Sequence, residues 1–367
     1  MSTTLEILSV FARLGATTFG GPAAHIALFE DEFVRRRRWL TREEFLALNA
    51  AAQLIPGPNS TELAIHNGHR RGGWKGLVAA GAGFILPAAL LTLLVAWAYV
   101  RYGSLPAVQP ALAGIKLAVM VIVARAIWDF GRTALTTRTH ALVATVAGLA
   151  VASGVNELFV LLGGGLVIWG ISSRSIGGPI APAVLPALTL FTPDPSPLSL
   201  FASFAKIGAV LFGSGYVLYA FLHAEFVERL GWLSTAQVTD AIAAGQITPG
   251  PLFSTATFVG YLVLGWKGAA IATAGIFLPA FTFVALSAPL LPLIERHPGL
   301  RAARDGVVAA SLGLLTVTAV ALAKDALTAP WLLSVTVRAS AAFALLRWKL
   351  SPALLVLGGA LFGTLLG

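Results

Sequence analysis

Two long stretches of this chain contain no charged residue, one between Lys75 and Arg101 and the other between Lys267 and Glu295. Each is longer than the roughly 20 apolar residues that a helix needs to cross the hydrocarbon core of a bilayer. Inside that core the backbone must satisfy its own hydrogen bonds, which for isolated segments means helix. The rest of the chain agrees, with 57% hydrophobic and only 11% charged residues against about 25% charged in soluble domains. Too few polar side chains exist to cover a water-facing surface. The sequence therefore predicts an all-α, polytopic membrane protein in contact with lipid. With no cysteine, disulfides, Cys-ligated zinc and thiol nucleophiles are excluded. Met1 to Val10 carries Glu6 and no basic cluster, unlike the start of a cleavable signal peptide. The net charge of +9 reads as cytoplasmic loops rather than a nucleic-acid surface, and the surplus favours an anionic substrate.

The chain also repeats itself. Phe19-Gly20, Phe33-Val34, Trp39-Leu40, Gln53 and Pro56-Gly57-Pro58 recur as Phe212-Gly213, Phe226-Val227, Trp232-Leu233, Gln246 and Pro249-Gly250-Pro251, each displaced by 193 positions. Arg13 and Lys206 keep that displacement. One residue fewer, at 192, aligns Gly73-Trp74-Lys75-Gly76 with Gly265-Trp266-Lys267-Gly268. The sequence thus predicts two related halves, 1–185 and 186–367, joined through the Pro/Gly/Ser-rich stretch from Ser172 to Pro197.

Basic residues set membrane orientation. Arg35 to Arg38 mark one loop of the first half as positive, whereas its counterpart, Glu225 to Gly231, holds two acids and one arginine. In the next loop the bias reverses: Arg101 to Pro110 has one basic residue, and Glu295 to Asp305 has Arg296, Arg301 and Arg304. A swap of this kind predicts inverted-topology repeats, with about five crossings per half and about ten in all. Arg338 interrupts one candidate span. Each Pro-Gly-Pro lies inside an apolar segment that it must break, and in the first half basic residues lie on both sides of it. Each is read as the tip of a re-entrant pair of half-helices, tolerated at membrane depth only where it lines a cavity or is buried in protein.

That geometry carries the expected chemistry. A half-helix starting just after Pro56, Gly57 and Pro58 or Pro249, Gly250 and Pro251 turns its free N–H groups and positive dipole end into the protein, a setting for an oxyanion. Asn59, Ser60, Thr61, Ser254 and Thr255 add capping or donor groups, and Gln53 and Gln246 add amides. A bare tight turn with capping hydroxyls is the competing reading. Gly20 and Gly21, with Gly213 and Ser214, mark a second break or close helix packing. Arg13 and Lys206, each six residues before that break, are intramembrane cations for a dianion, unless they snorkel to the interface. His25, Glu32, His223 and Glu225 are candidates for proton coupling, or else interfacial polar residues. Lys116 and Arg125 lack repeat partners, and Gly163-Gly164-Gly165 reads as packing. No HExxH, GxSxG or metal-binding carboxylate cluster is present, so no catalytic residue, metal or cofactor is expected.

The strings FGGPAAHIA from Phe19, FVRRRRWL from Phe33, QLIPGP from Gln53, FGSGYVLYAFLHAEFVE from Phe212 and DAIAAGQITPGP from Asp240 resemble the chromate ion transporter superfamily, in its long-chain, two-domain form. The likeness covers essentially the whole chain. It implies an inner-membrane carrier that exports chromate and confers resistance to it, with sulfate sharing or competing for the site. It implies that the Pro-Gly-Pro motifs with their glutamines, the two Phe-Gly breaks and Arg13 matter most. Lys206 stands where the first half has arginine, which weakens a bidentate clamp there. A carrier for sulfate or another anion, with chromate incidental, is the alternative. A homodimer is compatible with these features.

Overall fold

The structure is a computed structural model that describes residues 3–19, 21–173, 194–212, 215, 217–296, 298–326 and 351–366. Gly20, Gly213, Ser214, Arg338 and most of the expected seam between the halves lie outside the described residues. All regular structure within them is helical.

The first half opens with two helical hairpins. Helix α1 (Thr3–Thr17) and α2 (Gly21–Glu30) fold back on one another around a break at Thr18 to Gly21. Phe11 packs on Phe29 and Phe33, with ring centroids 5.8 and 5.0 Å apart. At the open end, Glu6 meets Arg37 at 3.1 Å. Gly21, at φ 75°, supplies the positive φ that the tip requires. Past Glu30 the helix widens into a π-helical stretch, Asp31–Arg36.

Helix α3 (Arg42–Ala52) starts at a capping box between Thr41 and Glu44 and runs to the Pro-Gly-Pro tip. The chain then re-enters as α4 (Asn59–Tyr102). This helix is not straight. Gly72 and Gly73, with Gly73 at φ 58°, ψ −147°, turn it back so tightly that Gly68 lies against Gly76 and Ala80. The arm 59–71 therefore closes the second hairpin with α3, where Arg70 bonds Glu44 at 2.6 Å. The arm 74–102, about 43 Å long at 1.5 Å per residue, is long and apolar enough to cross a bilayer. Its outward residues Leu86, Leu90, Leu94 and Trp97 are exposed and apolar, as lipid contact demands. Helices α5 (Gln109–Ala134), α6 (Arg138–Ala152) and α7 (Glu157–Ser173) complete this half.

The described residues of the second half follow a similar order: α8 (Pro197–Val210), α9 (Val217–Leu222) widening into the π-helical stretch His223–Arg229, α10 (Thr235–Ile247), α11 (Thr255–Arg296), α12 (Pro298–Ala326) and α13 (Pro352–Leu366). Its kink is at Leu264 and Gly265, the latter at φ 60°, ψ −146°. Gly15 packs on the Phe84 backbone and Gly208 on that of Ile276, so one helix crossing is made twice. Four helices among the described residues are long and apolar enough to cross a membrane: Asn59–Tyr102, Gln109–Ala134, Leu252–Ser287 and Pro298–Val320.

The halves interlock. Gly81 on arm 74–102 faces Phe281, while Leu77 shares a buried cluster with Val284, so the two equivalent long arms run antiparallel. Helix α12 lies against α6 and α7, with Gly306 on Gly164 and Gly313 on Gly148; α13 lies against α5, with Gly359 and Gly363 on Gly114. The packing role read for Gly163-Gly164-Gly165 is met by Gly164 and Gly165, which allow α12 to approach closely.

Candidate substrate site where four helix breaks meet

Each hairpin ends in a tip, and the tips of one half bond those of the other. The Gly57 N–H donates to the Leu211 carbonyl at 2.8 Å, and the Gly250 N–H donates to the Thr18 carbonyl at 2.8 Å. Both bonds join a Pro-Gly-Pro to the opposite half's Phe-Gly break, at equivalent positions. Gly57 and Gly250 have φ of 132° and 88°, so glycine is required there. At Gly250 there is also no space: a Cβ would lie 2.6 Å from Ala88 Cβ and 2.8 Å from the Gly15 carbonyl. Pro58 is the residue before α4, and Pro251 precedes a short 3-10 turn, Leu252–Ser254, that leads into α11. Both prolines are buried. The helix starts that follow leave backbone N–H groups without helical partners, and these point into the protein interior.

Side chains around the tips are polar and buried. Thr92, from arm 74–102, bonds Ser254 at 3.1 Å and Thr248 at 3.2 Å, again across the halves. Thr255 donates to the Leu252 carbonyl at 2.7 Å, a local bond. Ser60 and Thr61 are buried and Asn59 half-buried. The hydroxyls of Thr18 and Thr61 and the Gln246 amide nitrogen have no hydrogen-bond partner among the described residues. Gln53 caps the end of α3 and is exposed. Pro56 and Pro249 stand on the entry side of their tips.

The expected cations and the expected proton carriers prove to be one another's partners. Arg13 meets Glu32 at 2.5 Å, and Arg37 meets the same carboxylate at 2.7 Å. In the second half Lys206 bonds Glu225 and, at 3.1 Å, Glu157 of α7, while Arg229 meets Glu225 at 2.5 Å. The π-helical stretches make this possible, since their five-residue hydrogen bonds (Arg37 N–H to Glu32 carbonyl and Leu230 N–H to Glu225 carbonyl, each 2.9 Å) turn Glu32 and Glu225 onto α1 and α8. The cations thus carry counter-charges, which leaves the helix starts and hydroxyls at the tips with little help from them. His25 is buried between Phe29 and Phe84. His223 bonds Thr235 through Nε2 at 3.1 Å and lies 3.2 Å from Glu228 through Nδ1.

Sequence reasoning missed several residues. Glu62, read only as part of a helix start, is wholly buried with both carboxyl oxygens unpartnered among the described residues; His66 and Asn67 on the same arm are buried too. Asp240 on α10 accepts from Tyr99 at 2.9 Å and lies 3.5 Å from Lys116. Asp240 and Tyr99 line a cavity of about 260 Å³ that also touches Val95, Ile247 and Phe258. Lone acids in apolar helices were the available signal.

Helical hairpins that meet tip to tip around buried polar groups, beside helices long and apolar enough to cross a bilayer, fit a multi-pass membrane protein. The chain belongs to the chromate transporter family, whose profile matches residues 5–169 and 198–364. It is a long-chain, two-part member. It is 32% identical over 372 residues to the chromate transport protein of Cupriavidus metallidurans, covering 98% of this chain and 92% of that one. The chromate transport protein of Pseudomonas aeruginosa is also 32% identical, with the same coverage. A probable chromate transport protein of Synechococcus elongatus is 29% identical over 88% of this chain and 85% of its own. No solved structure matches.

Proposed function

We propose that this chain is a secondary carrier that exports chromate across a bacterial inner membrane, confers chromate resistance and accepts sulfate at the same site. The observation that carries the proposal is the reciprocal pair of tip bonds, Gly57 to Leu211 and Gly250 to Thr18. They set two half-helix starts, with Ser60, Thr61 and Ser254, around one central point. A tetrahedral dianion gains there from converging N–H and hydroxyl donors in a site of low dielectric. Chromate and sulfate share that shape and charge, and the similar chromate transport proteins supply the choice between them.

The antiparallel run of the equivalent long arms supports inverted repeats with boundaries at 1–185 and 186–367, and about ten crossings. Exposed Trp74 and Trp266, just past the two kinks, suit opposite membrane interfaces. The Arg35 to Arg38 run lies on the open side of the first half's hairpins, where Arg37 and Arg71 flank Trp39 at 5.4 and 5.3 Å. This side is cytoplasmic in our proposal and contacts lipid headgroups. A homodimer is compatible with this reading. In this reading Glu32 and Glu225 hold Arg13 and Lys206 near the path. Proton coupling through either acid, or through His25 or His223, requires that its neutral variant lose pH-dependent flux.

Chromate uptake into proteoliposomes, with sulfate as competitor and Arg13→Gln beside the wild type, tests the proposal. Saturable uptake that sulfate inhibits and Arg13→Gln diminishes is the expected result. Uptake of sulfate without chromate would move the substrate to the alternative, a sulfate or general anion carrier. Flux that does not saturate, or chromate that emerges reduced, would overturn the carrier.

A further inference from the structure

The two halves are alike in their tips but not in the half-helices that follow them. On the arm 59–71, Thr61, Glu62, His66 and Asn67 are all buried, and Glu62 is wholly so. Both Glu62 oxygens, both Asn67 side-chain atoms, the Thr61 hydroxyl and His66 Nε2 lack hydrogen-bond partners among the described residues. The corresponding positions of the second half hold Ser254 or Thr255 against Glu62, Phe258 or Val259 against His66, and Val259 or Gly260 against Asn67. Buried polar groups are nearly always paired, and an ionisable one inside a membrane marks a pathway or a coupling site.

Glu62 also lies at the Pro-Gly-Pro tip to which the carrier reading assigns the substrate. Its carboxyl packs on Gly57, and a Cβ at that glycine would collide with Oε1. Glu62 is four residues past Pro58 and belongs to the first turns of the half-helix whose start faces the central point. The charged groups around it are engaged elsewhere. On α1, Glu6 pairs with Arg37 and Arg13 with Glu32; on α3, Glu44 pairs with Arg70. On α8, Lys206 is held by Glu225 and Glu157, and on α10 Asp240 is held by Tyr99 and Lys116. His25 of α2 lies among phenylalanines, Lys267 of α11 is exposed, and His66 and His69 lie further along the same arm.

Resting on the carrier reading above, we propose that Glu62 is the proton-binding carboxyl that couples transport, taking up one proton with each oxyanion. A carboxylate and a dianion side by side in a water-poor site repel each other, and among the described residues no cation pairs with Glu62 to offset the repulsion. The anion therefore binds with the protonated acid, its carboxylate oxygen having gained the proton from solution, and both leave together. Because the second half has no matching acid, the stoichiometry is one proton per cycle.

Sulfate is the probe, since unlike chromate it stays doubly charged across the neutral range. Sulfate is added to purified protein in weakly buffered detergent with a pH indicator, and its affinity is measured by isothermal titration at several pH values. Above the pH at which Glu62 titrates, the wild type takes up about one proton per sulfate bound and its affinity weakens about tenfold per pH unit; below that pH the acid is already protonated and neither effect appears. In Glu62→Gln the proton count falls to zero and the affinity no longer varies with pH, whereas His66→Gln still takes up one proton. If Glu62→Gln fails to fold, Glu62→Asp keeps the proton count and moves the pH midpoint. A wild type that binds sulfate without proton uptake, and with an affinity independent of pH, at every pH at which it stays folded overturns the inference, as does undiminished uptake in Glu62→Gln or an unmoved midpoint in Glu62→Asp. A wild type that binds neither sulfate nor alkaline chromate overturns the carrier reading itself, and the coupling with it.

Discussion

Lys206 and Arg13 occupy equivalent positions, yet they should not be equally replaceable. The Lys206 side chain is 23% exposed and faces two nearly buried carboxylates, whereas Arg13 is 52% exposed and shares Glu32 with Arg37. Removing one partner of a buried pair costs about 3–5 kcal/mol, while an exposed pair contributes about 1 kcal/mol or less. Arg229 remains on Glu225, so Lys206→Gln should fall toward the lower end. It should still lower the thermal midpoint in detergent more than Arg13→Gln does, and adding Glu157→Gln, which neutralises the buried acid left without its partner, should recover part of the loss. Equal midpoints for the two single variants would show that the pocket around Lys206 is wet. Thr92→Val removes the hydroxyl that bridges Thr248 and Ser254. It should cost about 1 kcal/mol, read as a lower midpoint, together with slower oxyanion flux. The repeats and the motifs made Arg13, Lys206, Glu32 and Glu225 legible as important residues. That they neutralise each other was not legible, because the pairing depends on a π-helical turn that no spacing rule predicts.

At the scale of the element, the long helices α4 and α11 are each decided by one glycine. Gly73 and Gly265 adopt φ near +60° with ψ near −147°, a region that L side chains avoid at a cost of about 1–3 kcal/mol. The preceding position has ordinary negative φ in both halves, and the second half places Leu264 there. Gly73→Ala and Gly265→Ala should therefore open the hairpins and abolish transport. Gly72→Ala, whose new methyl would meet only the movable end of the Ile7 side chain, should keep most of it. Flux assays on the three variants, normalised to protein inserted, check this. Loss in Gly72→Ala equal to that in Gly73→Ala would mean that close packing, not backbone conformation, fixes the bend. The sequence marked the break at each Pro-Gly-Pro because proline has a fixed chemical consequence. It did not mark the bend at Gly72-Gly73, since glycine inside an apolar helix more often serves packing.

At the scale of the whole molecule, the halves cannot be separate bodies. Helix α12 of the second half lies against α6 and α7 of the first, and α13 lies against α5, with glycine contacts at each crossing. Residues 1–185 expressed alone should give no stable protein, because the glycine faces of α5, α6 and α7 would lose their partners to lipid. Co-expression with 186–367 should restore a complex that copurifies and unfolds cooperatively. A monodisperse, cooperatively melting 1–185 fragment would refute the interlocked fold. Alternating access, if it follows the proposal, then belongs to the paired hairpins moving against the arms that hold them rather than to one half rocking on the other.

What the sequence determined by itself follows from properties that act locally or by simple counting. Charge-free runs too long for a soluble core required the bilayer, since ionisable groups are costly there. Proline fixed where the helices break, and a shared register of Trp, Gln and Pro-Gly-Pro fixed that the chain is built twice. Only the tertiary structure decided which breaks meet: Gly57 with Leu211 and Gly250 with Thr18 are far apart along the chain, and neither bond leaves a periodic trace in it. It also decided that Arg13 and Lys206 are neutralised, and that Glu62, a residue of an ordinary helix start in the sequence, is enclosed with no counter-charge among the described residues. Enclosure is a property of everything that surrounds a side chain, and in a membrane protein polar and apolar neighbours alike can come from the opposite half.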